Sequence, residues 1–224
     1  MTSRPYVLVS AAMSIDGYLD DVRGTRLMLS NEEDLDRVDE VRASVDAILV
    51  GANTIRRDDP RLLIRSVERQ QERIRRGLAP HPMKVTLTGR GDLSVTARFF
   101  TCGDSEKLVY TRDSAVANLA DVATVVAAGD PVDLGVVLSD LGERKVERLM
   151  VEGGCAVHTQ FLRAGLVDEI HLVIAPFFVG HGEAPRFVYP GQFPHNPERP
   201  MTLAGTRQIG NCVLLRYLTA RGLR

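Results

Sequence analysis

A chain of 224 residues that is 44% hydrophobic and 25% charged has the make-up of a globular fold with a sizeable core, in one large domain or two small ones. Its formal net charge of −1 gives no general attraction to nucleic acid or to an anionic membrane, and no apolar run approaches the ~20 residues a bilayer-spanning helix needs. The cysteines, Cys102, Cys155 and Cys212, lack C-x-x-C spacing, which argues against a disulfide framework or a zinc site and suits a reducing, cytoplasmic setting.

In chain order, Tyr6–Ala12 (YVLVSAA) reads as a buried strand; its apolar run is short and follows Arg4-Pro5, so it is not a secretory signal. Glu32–Ala43 is helical: Leu35, Val38 and Val41 recur at helical spacing, Ser30 or Asn31 can cap, and acids crowd the first turn. Asp46–Gly51 is a continuous apolar strand, and Lys84–Thr88, Lys107–Thr111 and Ala123–Ala127 are further β-rich runs. Leu134–Leu141 reads as a short helix, Val146–Val151 as a strand and Ala156–Ala164 as a helix. Glu169–Ala175 and Cys212–Leu218 are late strands with no helix between them. This alternation predicts an α/β fold with a mostly parallel central sheet, helices on both faces, and an antiparallel strand pair at its end. Two stretches read as irregular: Ser66–Pro82, polar and Arg-rich, as a solvated excursion or a mobile rim of a site, and Pro176–Met201 as a long Pro/Gly-rich loop. Phe177 and Phe178 in that loop read as core residues ahead of an exposed self-complementary surface.

The motif with most chemical content is Val151-Glu152-Gly153-Gly154-Cys155. A strand that ends in paired glycines and opens a helix brings backbone N–H groups close to a phosphate, although a plain tight connection looks the same. Glu152 stands at the carboxyl end of the strand, where ligands bind in open α/β sheets. Gly51-Ala52-Asn53-Thr54 is a second turn of this kind. At the end of the first strand, Ala12 and the Asp16-Gly17 pair form either a bare turn or a small-residue platform for a flat ring. Thr54–Arg65 is a charge-dense loop whose Asp58, Asp59, Arg56, Arg57 and Arg61 either pair with one another on the surface or line a polar site wall. Arg42 and Arg65 flank it; two guanidinium forks suit a phosphate, against the plainer reading of solvated arginines. Thr88-Gly89-Arg90-Gly91 suits a 2′-phosphate or any exposed turn. His181-Gly182-Glu183 matches only half of a zinc deaminase signature, and no metal site is read.

Four motifs, taken in order, resemble the pyrimidine reductases of riboflavin biosynthesis: RPYV…AMSIDG (Arg4 to Gly17), VRASVDAILVGANTIRRDDPRL (Val41 to Leu62), VEGG (Val151 to Gly154) and GLVDEIHLVIAPFFVG (Gly165 to Gly180). The resemblance runs from about Arg4 to the C-terminus and is to the free-standing reductase, without the zinc deaminase domain fused to it in many bacteria. It implies a single three-layer, dihydrofolate-reductase-like domain over residues 1–224. The implied reaction is NADPH-dependent reduction of the ribose of 5-amino-6-(5-phosphoribosylamino)uracil to ribityl. By position it assigns Ala12, Thr54 and Asp58 to the cofactor, and Gly153, Gly154 and the helix start at Cys155 to its pyrophosphate. Gly51 and Thr88 join them from the turn readings above. Arg42, Leu62 and Arg65 match positions that hold the substrate phosphate, and Glu152 a substrate-contacting carboxylate. The partner implied is a small phosphorylated pyrimidine, and the assembly a homodimer. One position departs: many bacterial members carry lysine where this chain has Ser10, as archaeal-type members also lack it. The proton donor is then Asp58, Glu152 or water. A related reductase of a pterin or folate, and a non-catalytic dinucleotide-binding protein, are the alternatives that fold alone leaves open.

Overall fold

The computed structural model describes residues 4–24, 27–112 and 119–223. Runs of Val, Ile and Leu buried on both faces make the interior strands, and helices fall between them. The elements are β1 (Tyr6–Ser14), α1 (Glu32–Ala43), β2 (Ala47–Gly51), α2 (Ala52–Asp58), α3 (Val67–Arg75), β3 (Met83–Thr88), α4 (Arg98–Thr101), β4 (Lys107–Thr111), β5 (Thr124–Ala127), α5 (Leu134–Glu143), β6 (Arg148–Gly153), α6 (Cys155–Arg163), β7 (Glu169–Ala175), β8 (Thr202–Ile209) and β9 (Cys212–Leu218). The strands form a nine-stranded sheet in the order β5-β4-β3-β2-β6-β1-β7-β9-β8. The expected architecture is present: a mostly parallel sheet that ends in antiparallel strands. The chain divides into two compact units, Asp39–Met150 with Met1–Pro5, and Tyr6–Val38 with Val151–Arg224.

In the first unit β2, β3, β4 and β5 pair in parallel. Lys84 on β3 is fully buried, and its ammonium donates to the carbonyls of Phe99 (3.1 Å) and Cys102 (2.5 Å) at the end of α4. A cation suits the C-terminus of a helix. Burial, then the neighbouring Lys107 and Arg42 cations, bring its pKa down to about 8. The Ser66–Pro82 stretch is not the excursion expected: it contains α3, capped by Ser66, whose hydroxyl accepts from Arg69 N (3.2 Å). This helix has no apolar stripe to read. It is anchored by a charged residue, Arg73, which is 3% exposed and donates to the carbonyls of Ala43, Val45 and Ala79. The first part of the Thr54–Arg65 segment is likewise helical, as α2, pinned by buried Ala52 and Ile55.

In the second unit β1 pairs in parallel with β7, from Leu8 against Glu169 to Ser14 against Ala175. β7 and β9 are antiparallel, as expected, and β8 adds a further antiparallel strand. β8 escapes sequence reading because it is polar and exposed along most of its length, with a register shift at Leu203/Gly205. The Asp168 carboxylate accepts from Val7 N (2.8 Å), tying the entry of β7 to β1. Asn31 is the cap of α1, its Oδ1 accepting from Asp34 N (2.9 Å). Leu35, Val38 and Val41 of α1 are only half-buried, while Asp34, Arg37 and Asp39 are buried. Phe178 is 70% exposed, against the expected core burial, because Phe177-Phe178 follows the end of β7 rather than lying within it.

Candidate functional site

In the first unit the candidate residues gather along α2 and the segment between α2 and α3. β2 ends at Gly51 in ordinary extended backbone (φ −76°), so this turn does not draw on glycine's left-handed freedom. Thr54 and Asp58 are half-buried and four residues apart on α2, hence on one face. The helix stops at Asp59, which adopts the left-handed conformation (φ 41°) and donates its N–H to Ile55 O (3.1 Å). Leu62, 2% exposed, also has positive φ (52°), uncommon for a residue with a side chain. Two of the surface ions pair outside the segment: Arg56 with Asp92, and Asp59 with Arg98 (3.0 Å).

Leu63–Ser66 belongs to no helix or strand, and side chains hold its main chain. Arg42 Nη1 donates to Leu63 O (3.1 Å), and Gln70 Nε2 donates to Ile64 O (2.9 Å). Ile64 N–H donates to His81 Nδ1 (3.2 Å). The Asp39 carboxylate accepts from the N–H groups of Arg65 (2.5 Å) and Ser66 (3.1 Å). That carboxylate also accepts from Arg69 Nη1 (3.1 Å) and lies 4.0 Å from Arg65 Nε. Asp39 is 2% exposed and the Arg65 side chain 55%. Burial, then the Lys84 and Arg73 cations, lower the pKa of His81; the neutral ring is the form that can accept from Ile64 N. Arg42, Arg65 and Arg69 thus share one neighbourhood. Thr88 is buried, and its Oγ1 accepts from Gly91 N (3.1 Å), closing the turn after β3, while Arg90 is exposed.

In the second unit β6 runs through half-buried Glu152 to Gly153, and Gly153 and Gly154 have φ of 122° and 86°. Here glycine is required. A Cβ on Gly153 would stand 3.1 Å from Nε2 of His158. α6 starts at Cys155 with no side-chain cap and no acid in its first turn. Its first N–H groups therefore gain no acceptor from the cap residue, and they sit at the positive end of the helix dipole. This donor set fits the pyrophosphate of a dinucleotide. Cys155 is buried, which pushes its thiol pKa up. His158 is 1% exposed; burial holds its pKa down to about 4, against a smaller upward pull from the Phe187 main chain. Ala12 is half-buried on β1 beside Val173, and Ser10 is 5% exposed in the same strand.

Asp39, Gln70 and His81 were not singled out in the sequence as candidate site residues, and Arg69 entered only as part of the Arg-rich Ser66–Pro82 stretch read as a solvated excursion or a site rim. Asp39 left a trace, standing three residues before Arg42 in α1 and so on its face.

A nine-stranded, mostly parallel α/β sheet with a strand-Gly-Gly-helix turn is the class of fold this chain adopts. The chain belongs to the RibD C-terminal domain family, whose model matches residues 5–215. It is 37% identical over 186 residues to the 2,5-diamino-6-ribosylamino-4(3H)-pyrimidinone 5′-phosphate reductase of Archaeoglobus fulgidus, covering 81% of this chain and 85% of that one. A pyrimidine reductase-like protein of Corynebacterium diphtheriae superposes with a TM-score of 0.81 at 24% identity, over 97% of this chain and 92% of the other. Dihydrofolate reductase of Enterococcus faecalis, complexed with NADP(H), shares the fold at a TM-score of 0.52 and 14% identity, over 96% of this chain and 96% of the other. The resemblance to pyrimidine reductases of riboflavin biosynthesis, with a dihydrofolate-reductase-like fold, is borne out.

Proposed function

We propose that this protein is an NADPH-dependent reductase that converts the ribose of a phosphoribosylaminopyrimidine to a ribityl chain, working as a homodimer. Membership of the RibD C-terminal domain family carries the reading. The uracil form of the substrate and the diaminopyrimidinone named for the Archaeoglobus relative share the phosphoribosylamino group and differ on the ring. The 37% identity to that relative favours the diamino form.

Bound here, NADPH would supply a hydride to C1′ of the opened, imine form of the ribose, with a proton passing to the nitrogen. The chain has to bind, orient and exclude water. Gly153, Gly154 and the first turn of α6 hold the cofactor pyrophosphate, with Ala12, Gly51, Thr54, Asp58 and Thr88 along the rest of it. Arg42, Leu62 and Arg65 hold the substrate phosphate, and Glu152 the pyrimidine or ribose side. Ser10 carries no charge, so the proton is delivered by Asp58, Glu152 or water.

Loss of NADPH absorbance with each pyrimidine, beside dihydrofolate, tests the activity. Oxidation with dihydrofolate alone would leave a different reductase, and none with any substrate a dinucleotide-binding protein. The clamp has its own test. A charge-assisted hydrogen bond contributes roughly 1.5–3 kcal/mol, so Arg65→Ala should lower kcat/KM about ten- to a hundredfold, mainly through KM, with NADPH affinity unchanged. A variant that still favours phosphorylated over dephosphorylated substrate as strongly as wild type would remove Arg65 from the clamp.

A further inference from the structure

We propose that Asp39 is the positioning residue of the phosphate clamp: its buried carboxylate fixes the main chain under Arg65 and sets Arg69 beside it. The inference rests on the reading of Arg65 as a phosphate ligand. A carboxylate near an anion site is unfavourable unless its charge is used. Here it is matched: it accepts from two consecutive N–H groups, Arg65 and Ser66, and from the Arg69 guanidinium. Ser66 caps α3, the helix that carries Arg69. One side chain therefore fixes both the loop residue that points a guanidinium outward and the start of the helix that presents a second.

The need for such an anchor follows from the flexibility of arginine. A half-exposed arginine has rotamer entropy to lose on gripping a ligand. If its own backbone also moves, the loss is larger and the fork misses its geometry. A misplacement of ~1 Å at a clamp can cost about a hundredfold. Asp39 is 2% exposed and lies on α1, so it does not itself need to touch the phosphate to act.

The test compares phosphorylated and dephosphorylated substrate for wild type, Asp39→Ala, Asp39→Asn, Arg65→Ala and the Asp39→Ala/Arg65→Ala double variant, with NADPH affinity as a check of folding. In Asp39→Ala the preference for the phosphorylated form should fall about ten- to a hundredfold, the size of one charge-assisted bond, through KM more than kcat. Asp39→Asn should fall less, because its amide oxygen still accepts from Arg65 N–H. The double variant should show little more loss of preference than Arg65→Ala alone, since the two act as one unit. An equal loss with both substrates would mean a merely structural role and overturn the inference. If Arg65→Ala loses the preference and folded Asp39→Ala keeps it, the clamp stands and Asp39 is not its positioner. If Arg65→Ala keeps it, the clamp itself fails. Should Asp39→Ala not fold, the asparagine variant, alone and with Arg65→Ala, decides by the same comparison.

Discussion

His158 carries its imidazole where solvent does not reach, against the ring of Phe187 at 5.1 Å between centroids. Burial lowers its pKa from 6.5 to about 4. The unfolded chain therefore binds more protons than the folded one between these values. The associated stability is fully present above pH 6.5 and is lost as pH falls toward 4. Unfolding midpoints in urea at pH 7 and pH 4.5 should show this as about 2–3 kcal/mol more acid loss in wild type than in His158→Asn. Equal acid loss in both proteins would mean the ring is hydrated or already charged. At this scale Arg42 and Arg65 were legible as candidate phosphate ligands, because arginines beside a charge-dense segment invite that reading. Asp39 was not, since it looks like any acid of a solvated helix and its burial depends on a loop more than twenty residues away.

The turn from β6 into α6 was legible at the scale of elements because paired glycines between an apolar strand and a helical run mark a tight connection. Its conformation was not, and the two glycine turns differ: Gly51 is in extended backbone, whereas Gly153 and Gly154 are at positive φ. Gly153→Ala should therefore be doubly unfavourable, with φ of 122° and a Cβ pressed on the His158 ring. Backbone strain of this kind costs about 1–3 kcal/mol. A lower Tm and weaker NADPH binding are expected, with Gly182→Ala, where a Cβ meets nothing within 4 Å, as the neutral control. NADPH affinity equal to the control's would detach the turn from the cofactor. α3 and β8 stayed illegible for a shared reason. Periodicity reports apolar faces, and α3 is anchored by buried Arg73 while β8 exposes most of both faces.

Over the whole molecule, strand–helix alternation made the parallel sheet legible, but the order of its strands is set by packing and leaves no periodic trace. The reading of residues 1–224 as one domain is a proposal about cooperativity. The second unit is made of Tyr6–Val38 and Val151–Arg224, with the first unit's Asp39–Met150 inserted between them, and both α1 and β6 run across a boundary. One unfolding transition is expected. Thiol labelling checks it, because Cys102 reports on the first unit while buried Cys155 and Cys212 report on the second. Labelling curves that coincide with far-UV circular dichroism fit one domain; two separated curves would make it two. The side-chain-held path of Leu63–Ser66 has a consequence for how this protein can drift. Bonds made to a main chain are indifferent to the side chain it carries, so Leu63 and Ile64 can exchange for other aliphatic residues without losing a single anchor. Changing Asp39, Gln70 or His81 leaves the loop's own letters untouched and still removes one. Tolerance is thereby inverted: in related chains the loop is free to vary in spelling, and the residues that dictate its shape are to be sought outside it.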